Sequence, residues 1–113
     1  MRTRTESDIG AVCAYLEEHS GEPVSLDQLG EVAGLSKYYL LRSFTKQKGI
    51  SPYRYLETIR IAKARKLLER NVPMIEVALQ TGFADQSHFS RFFKRLIGVT
   101  PRQYAEIFGG RQA

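Results

Sequence analysis

The apolar residues of this chain recur at intervals of three and four positions, the spacing of one buried face of a helix. Near the N-terminus, Ile9, Val12 and Leu16 follow this spacing. Between such stretches stand serines and threonines that can cap a helix, glycines that can end one and prolines that can open the next. The pattern predicts helices over about residues 7–19, 26–33, 37–48, 52–70 and 101–108, and two more within 73–98.

The helix predicted over about 52–70 has apolar residues on two sides. A helix of this kind can pack against two bodies at once, because each apolar side needs its own cover. We therefore expect this segment to connect two small subdomains. One side comprises Tyr55, Ile59 and Ala62, and the other comprises Ile61, Ala64, Leu67 and Leu68.

An internal repeat supports the two subdomains. At a shift of 49 residues five identities recur, and ahead of the turn the shift becomes 48, which pairs Gly34 with Gly82. Each copy, about 25–49 and about 73–98, has a short helix, a glycine turn and a second helix. This is the helix-turn-helix pattern, in which the second helix enters the major groove of DNA. The five identities are Arg42, Phe44, Gly49, Pro52 and Tyr55 with Arg91, Phe93, Gly98, Pro101 and Tyr104.

The charge is distributed unevenly along the chain. The net charge is +5, but residues 1–35 carry two basic and seven acidic side chains, whereas residues 36–113 carry fifteen basic and five acidic ones. Segments 36–55 and 86–105 contain several basic residues and no acidic one. Such windows favour a surface that meets a polyanion, since each neutralised phosphate releases counterions. The alternative is a solvated basic surface without a partner.

Composition excludes several other classes of protein. A chain of 113 residues, 42% apolar and 26% charged, is typical of one globular domain. It has no apolar run long enough to span a membrane and no secretory signal, so we expect a soluble, cytoplasmic protein. Cys13 is the only cysteine and is expected to fill the core. With His19 and His88 it forms no catalytic set or metal site, so no enzyme activity and no cofactor are predicted.

The stretch from Gly82 to Tyr104, GFADQSHFSRFFKRLIGVTPRQY, closely resembles the signature of the AraC/XylS family of bacterial transcription regulators. Residues 34–56, GLSKYYLLRSFTKQKGISPYRYL, resemble the first helix-turn-helix of that family. The resemblance implies that residues 1–113 form a single all-α DNA-binding domain of seven helices. Two helix-turn-helix subdomains would be joined by the long central helix, and both reading helices would lie on one side of the duplex.

The resemblance also implies partners. Double-stranded DNA is the first, and RNA polymerase is the second. Most regulators of this kind carry a separate effector-binding or dimerising domain, for which no residues remain here. The chain is therefore either a small stand-alone regulator or, as we prefer, the C-terminal piece of a longer protein whose effector domain lies elsewhere.

The side chains opposite the buried face of each second helix are the candidates for DNA contacts. Arg42 and Arg91 are the strongest, because a guanidinium can form two hydrogen bonds to guanine. Phosphate clamping or a salt bridge is the alternative for both. The base-reading candidates are Lys37, Tyr38, Leu41, Arg42, Gln86, Ser87, Ser90 and Arg91. The phosphate candidates are Thr45, Lys46, His88, Lys94, Arg95 and, on the connecting helix, Arg60. Packing is the alternative for His88, and a solvated helix face is the alternative for Arg60.

A helix-turn-helix pattern does not by itself explain the residues at positions 30 and 92. Gly30 lies inside a predicted helix, where it costs about 1 kcal/mol relative to alanine, and close helix packing would explain it. Phe92, next to Phe93, exceeds what one buried stripe requires. It would either cover the edge of the core or form an exposed patch. The patch motivates the alternative function, a helical protein-protein interaction module that binds no specific DNA sequence.

Overall fold

The chain is all-α, as expected. The computed structural model describes residues 4–110, and side chains from residue 8 onward; over this range it contains helices and no strand. None of the described helices has the length and apolar character needed to cross a bilayer. The helices are α1 (Arg4–Glu18), α2 (Leu26–Ala33), α3 (Lys37–Lys48), α4 (Pro52–Glu69), α5 (Met74–Gln80), α6 (Gln86–Ile97) and α7 (Pro101–Phe108).

Local capping bonds explain where most of these helices begin. The Ser25 hydroxyl accepts the Gln28 amide at 3.1 Å, and the Gln28 side chain accepts the Ser25 amide at 2.7 Å, which completes the predicted capping box. The side chains of Ser36, Asp85 and Thr100 likewise accept an amide in the first turns of α3, α6 and α7. The helix starts that depend on these caps were predicted correctly. α1 begins three residues earlier than its apolar pattern indicated.

The chain divides into two compact units, the first ending at Ile59 and the second beginning at Arg60. In the first unit one face of α1 packs with α2, α3 and the start of α4. Cys13 is half-buried against this core, which agrees with its expected role as core filler. The buried residues of this first core are Ile9, Val12, Leu16, Leu29, Ala33, Leu40, Phe44, Leu56 and Ile59.

The two apolar sides of α4 serve the two units, with one exception. Tyr55 and Ile59 pack in the first core, whereas Ile61 and its partners pack in the second. Ala62 was expected beside Ile59 but is exposed. That expectation was wrong because the first unit ends at Ile59, so no side chain of the first core covers the next turn of the helix.

Aromatic rings fill the core of the second unit. The Phe89 ring lies 5.2 Å from that of Phe83 and 5.7 Å from that of Phe93, measured between ring centroids. Phe92 is only 6% exposed and lies 6.0 Å from Phe83. Phe92 therefore covers the core edge, and the exposed patch proposed from the sequence is wrong because the turn residue Phe83 packs over that ring.

Two sets of hydrogen bonds fasten α7 to the end of α4 within the second unit. The Tyr104 hydroxyl donates to a Glu69 carboxylate oxygen at 2.5 Å and accepts from the Arg65 Nε at 3.2 Å. The bond to Tyr104 raises the pKa of the Arg65 guanidinium above its usual value. The Gly110 amide donates to the Glu69 carbonyl at 2.8 Å, and the Asn71 side chain donates to the Gly110 carbonyl.

Candidate nucleic-acid interface

The first helix-turn-helix is formed by α2, a tight turn and α3. Gly34 adopts φ = 69°, a conformation that glycine reaches without steric cost, and the Leu35 amide donates to the Gly30 carbonyl at 3.0 Å. A Cβ at Gly30 would lie 2.9 Å from the Leu35 carbonyl oxygen. The turn thus passes too close to α2 for any side chain at position 30, which confirms close packing as the reason for this glycine.

The second helix-turn-helix repeats the same bonds with α5 and α6. Gly82 adopts φ = 86°, and the Phe83 amide donates to the Ala78 carbonyl at 3.1 Å, the counterpart of the bond from Leu35 to Gly30. The repeat seen in the sequence is therefore present in the backbone hydrogen bonds. Here the position of Gly30 is taken by Ala78, so the methyl group that the first turn excludes is accommodated in the second.

In α3 the buried and exposed faces separate as the sequence predicted. Leu40 and Phe44 are fully buried, while Tyr38 is 73% exposed. The Lys37 ammonium lies 3.8 Å from an Asp27 carboxylate oxygen and 5.6 Å from the centroid of the Tyr38 ring. Helical periodicity could not indicate this partner, because Asp27 lies ten positions from Lys37 on a different helix. All α3 candidates are exposed, namely Lys37, Tyr38, Leu41, Arg42, Thr45 and Lys46.

In α6 most of the candidates are exposed, and two are half-buried. The His88 ring meets the Phe83 ring edge-on, with 5.7 Å between centroids, so this histidine contributes to packing. Ser90 is also half-buried. Ile97, not Leu96, completes the buried face of the helix. The exposed candidates are Gln86, Ser87, Arg91, Lys94 and Arg95.

Arg60 differs from every other candidate. It is 7% exposed, and its guanidinium packs against the turn glycine Gly82 in the second unit. The alternative of a solvated helix face is therefore wrong, because the second unit folds over this side chain. A buried guanidinium also lacks the exposure that a phosphate contact requires, so Arg60 does not belong with the exposed candidates.

The electrostatic character of the two second helices is the same. Neither α3 nor α6 contains an acidic residue, and each has two basic residues in its last turn. Exposed cations on a rigid helix can bind phosphates, and exposed guanidinium and amide groups can hydrogen-bond base edges. Among the described residues no three histidine, cysteine or acidic side chains gather in a way that could hold a metal ion. The last-turn residues are Lys46 and Lys48 in α3, and Lys94 and Arg95 in α6.

The sequence is similar to that of known helix-turn-helix proteins. A family model described as a helix-turn-helix domain matches residues 29–107. Over 81 residues the chain is 60% identical to YbfI of Bacillus subtilis strain 168, called an uncharacterised HTH-type transcriptional regulator; the match covers 72% of this chain and 30% of that protein. The chain spans less than two fifths of the length of the first curated relatives that it matches.

Solved structures share the whole fold. The C-terminal domain of AraT, a response regulator from Geobacillus stearothermophilus, is 29% identical with a TM-score of 0.89, covering 97% of this chain and 93% of that one. The DNA-binding domain of AdpA, called a global transcriptional factor, was crystallised in complex with a target DNA. It is also 29% identical, with a TM-score of 0.83, and the match covers 88% of this chain and 91% of that domain.

Proposed function

Because the chain belongs to the AraC/XylS family of bacterial transcription regulators, we propose that it binds duplex DNA sequence-specifically, with α3 and α6 as its two recognition helices. The observation that carries this proposal is the duplication itself. Two helices of the same length, each capped after a glycine turn and each free of acidic residues, present exposed polar and basic side chains. In the proposal they occupy successive major-groove segments, about 34 Å apart along one face of the duplex.

We assign base reading chiefly to Arg42 and Arg91. These residues occupy the same position in the two copies, and both are exposed. Each can form two hydrogen bonds to guanine, which contribute about 1–3 kcal/mol of discrimination against other bases. Gln86 can pair with adenine in the same groove. The remaining base-reading positions are Lys37, Tyr38, Leu41, Ser87 and Ser90.

Phosphate binding is assigned to the exposed residues in the later turns of both helices. A side chain that contacts the backbone of DNA fixes the position of the protein without reading sequence. The exposed ammonium and guanidinium groups there suit this role, and Thr45 can donate a neutral hydrogen bond. His88 is half-buried and packs edge-on against the Phe83 ring. The phosphate contacts proposed are Thr45, Lys46, Lys94 and Arg95.

Selection of binding sites from a random duplex library tests this proposal. The protein, Arg42→Ala and Arg91→Ala are each carried through the selection, with Arg70→Ala, an exposed arginine at the end of the connecting region, as the matched control. We expect each of the first two substitutions to relax preference at a separate cluster of base pairs, about one helical turn apart. The control should keep both clusters. Uniform weakening by both substitutions would make the two arginines phosphate contacts instead.

A salt titration separates DNA binding from the alternative protein-interaction module. The logarithm of the affinity for duplex DNA should fall linearly with the logarithm of salt concentration, with a slope of about −0.9 for each phosphate contacted. Lys94→Ala should make this slope shallower by about one unit and weaken all sequences equally. A slope near zero would contradict the proposal.

The activity of a whole regulator is a further proposal. We propose that DNA binding by this chain changes transcription by bacterial RNA polymerase, and that an effector-binding domain controls it in the full-length protein. The test is transcription in vitro from a promoter that carries the selected site upstream. We expect the amount of transcript to change when protein is added, and a promoter with a scrambled site to show no change. Equal amounts from both promoters would contradict the proposal.

A further inference from the structure

The buried guanidinium of Arg60 lies against the turn of the second helix-turn-helix. Its Cζ, Nε and one terminal nitrogen are each 3.1 Å from the point where a Cβ at Gly82 would stand. Separations of 3.4–4 Å are ordinary contact for such an atom, so with a side chain at position 82 the Arg60 guanidinium would have to shift by a few tenths of an ångström. The flat guanidinium packs directly against the backbone because position 82 is glycine.

The first turn contains no such support. Gly34 also has a positive φ, 69° against 86° for Gly82, so both turns need glycine for their backbone conformation. A Cβ at Gly34, however, would meet no atom within 4 Å. Both turns therefore need glycine for their backbone conformation. The second turn also needs it because the Arg60 guanidinium occupies the space next to position 82. The two glycines form a natural matched pair for experiment.

The turn is coupled closely to α6. Gly82 stands three residues before the cap Asp85 and four before Gln86, the first residue of the helix. Between them, Phe83 is buried with its ring 5.2 Å from that of Phe89 on α6. We therefore expect a displacement of Gly82 to move the start of α6, because the segment that joins them is short and its Phe83 side chain is packed in the core.

We infer that Arg60 is a positioning residue for the second recognition helix, acting through the Gly82 turn without contacting DNA. The inference depends on the proposed function, since it assigns Arg60 a role in sequence reading by α6. It also replaces the phosphate contact that the sequence suggested. A phosphate contact needs only a positive charge, whereas support of the turn needs a planar group of this shape.

Arg60→Lys distinguishes these two roles, because it keeps the charge and loses the planar group. In the library selection we expect preference at the base pairs read by α6 to fall about fivefold or more, the lower end of what one base contact contributes. Preference at the base pairs read by α3 should stay unchanged. Arg70→Lys, an exposed position near the end of the same helix, is the matched control and should change neither cluster.

A double-mutant cycle tests the contact itself and does not depend on DNA. Gly82→Ala and Gly34→Ala impose the same kind of backbone strain, but only Gly82→Ala brings a Cβ to 3.1 Å from the Arg60 guanidinium. We expect Gly82→Ala to raise the equilibrium constant for unfolding about twofold or more beyond the increase in Gly34→Ala, because residues in direct contact are energetically coupled. The excess should disappear in an Arg60→Gln background. If Arg60→Lys folds too poorly for selection, an absence of coupling in this cycle still overturns the inference.

Three results would overturn the inference. The first is an equal loss of affinity for all sequences in an Arg60→Lys protein that is fully folded. The second is unchanged preference at both clusters. The third is an equal penalty for the two glycine substitutions in both backgrounds. Failure of the proposed function has a different signature, since the unsubstituted protein would then select no sequence at all while the coupling between Arg60 and Gly82 persisted.

Discussion

Replacing Gly30 by alanine should destabilise the protein, although alanine ordinarily stabilises a helix. In the middle of a helix, alanine is more favourable than glycine by about 0.5–1 kcal/mol. At position 30 the new Cβ would lie 2.9 Å from the Leu35 carbonyl oxygen, 0.5 Å inside the 3.4 Å at which ordinary contact begins. The Leu35 backbone belongs to a turn held by its own hydrogen bond to Gly30 and cannot move away freely. Because overpacking of this kind costs about 1–3 kcal/mol, we expect a net loss of about 1 kcal/mol.

Gly10→Ala is the matched control for this substitution. Gly10 lies within α1, is exposed, and has no atom within 4 Å of its would-be Cβ. This control should gain about 0.5–1 kcal/mol, since only helix propensity acts there. Urea unfolding followed by far-UV circular dichroism gives the free energy of unfolding of both variants. A gain in Gly30→Ala equal to that in Gly10→Ala would refute the argument that the turn excludes a side chain.

Two further predictions concern tyrosines. Tyr104→Phe removes the hydroxyl that joins Glu69 to Arg65. In the same urea assay we expect a loss of only about 1 kcal/mol, because both partners are exposed and form hydrogen bonds to water in its place. Undiminished stability would count against this. Burial, followed by a hydrogen bond with Cys13, raises the pKa of Tyr55 above its ordinary 10.0. The stability this provides is complete below pH 10.0 and is lost as pH rises through the higher folded-state pKa. Tyr55→Phe should therefore flatten the alkaline decline of the unfolding free energy, and an identical decline in both proteins would contradict the assignment.

Local features of the chain proved highly predictive. The capping box at Ser25 and the caps at Ser36, Asp85 and Thr100 involve residues three positions apart, so the sequence contains all the information they need. The turn glycines could be predicted for the same reason, since the positive φ that glycine favours involves a single residue. The exposed faces of α3 and α6 could be identified because a helix of known register has only one side left once its buried stripe is known.

Side chains whose surroundings come from distant parts of the chain were harder to predict. Arg60 was expected in solvent or at a phosphate and is buried against Gly82, which is 22 positions away. Phe92 is covered by Phe83 from the preceding turn, and Ala62 lies beyond the first core. The helical period gives only the direction of a side chain around its own helix. It did not specify which element would lie there.

The sequence by itself determined the helices, their caps, the two turns and the duplication, because these depend on hydrogen bonds and periodicity within a few turns of one segment. Tertiary structure alone decided which side chains those segments enclose. Burial depends on which elements, far apart along the chain, lie against each other, as the Arg60 side chain and the turn at Gly82 do.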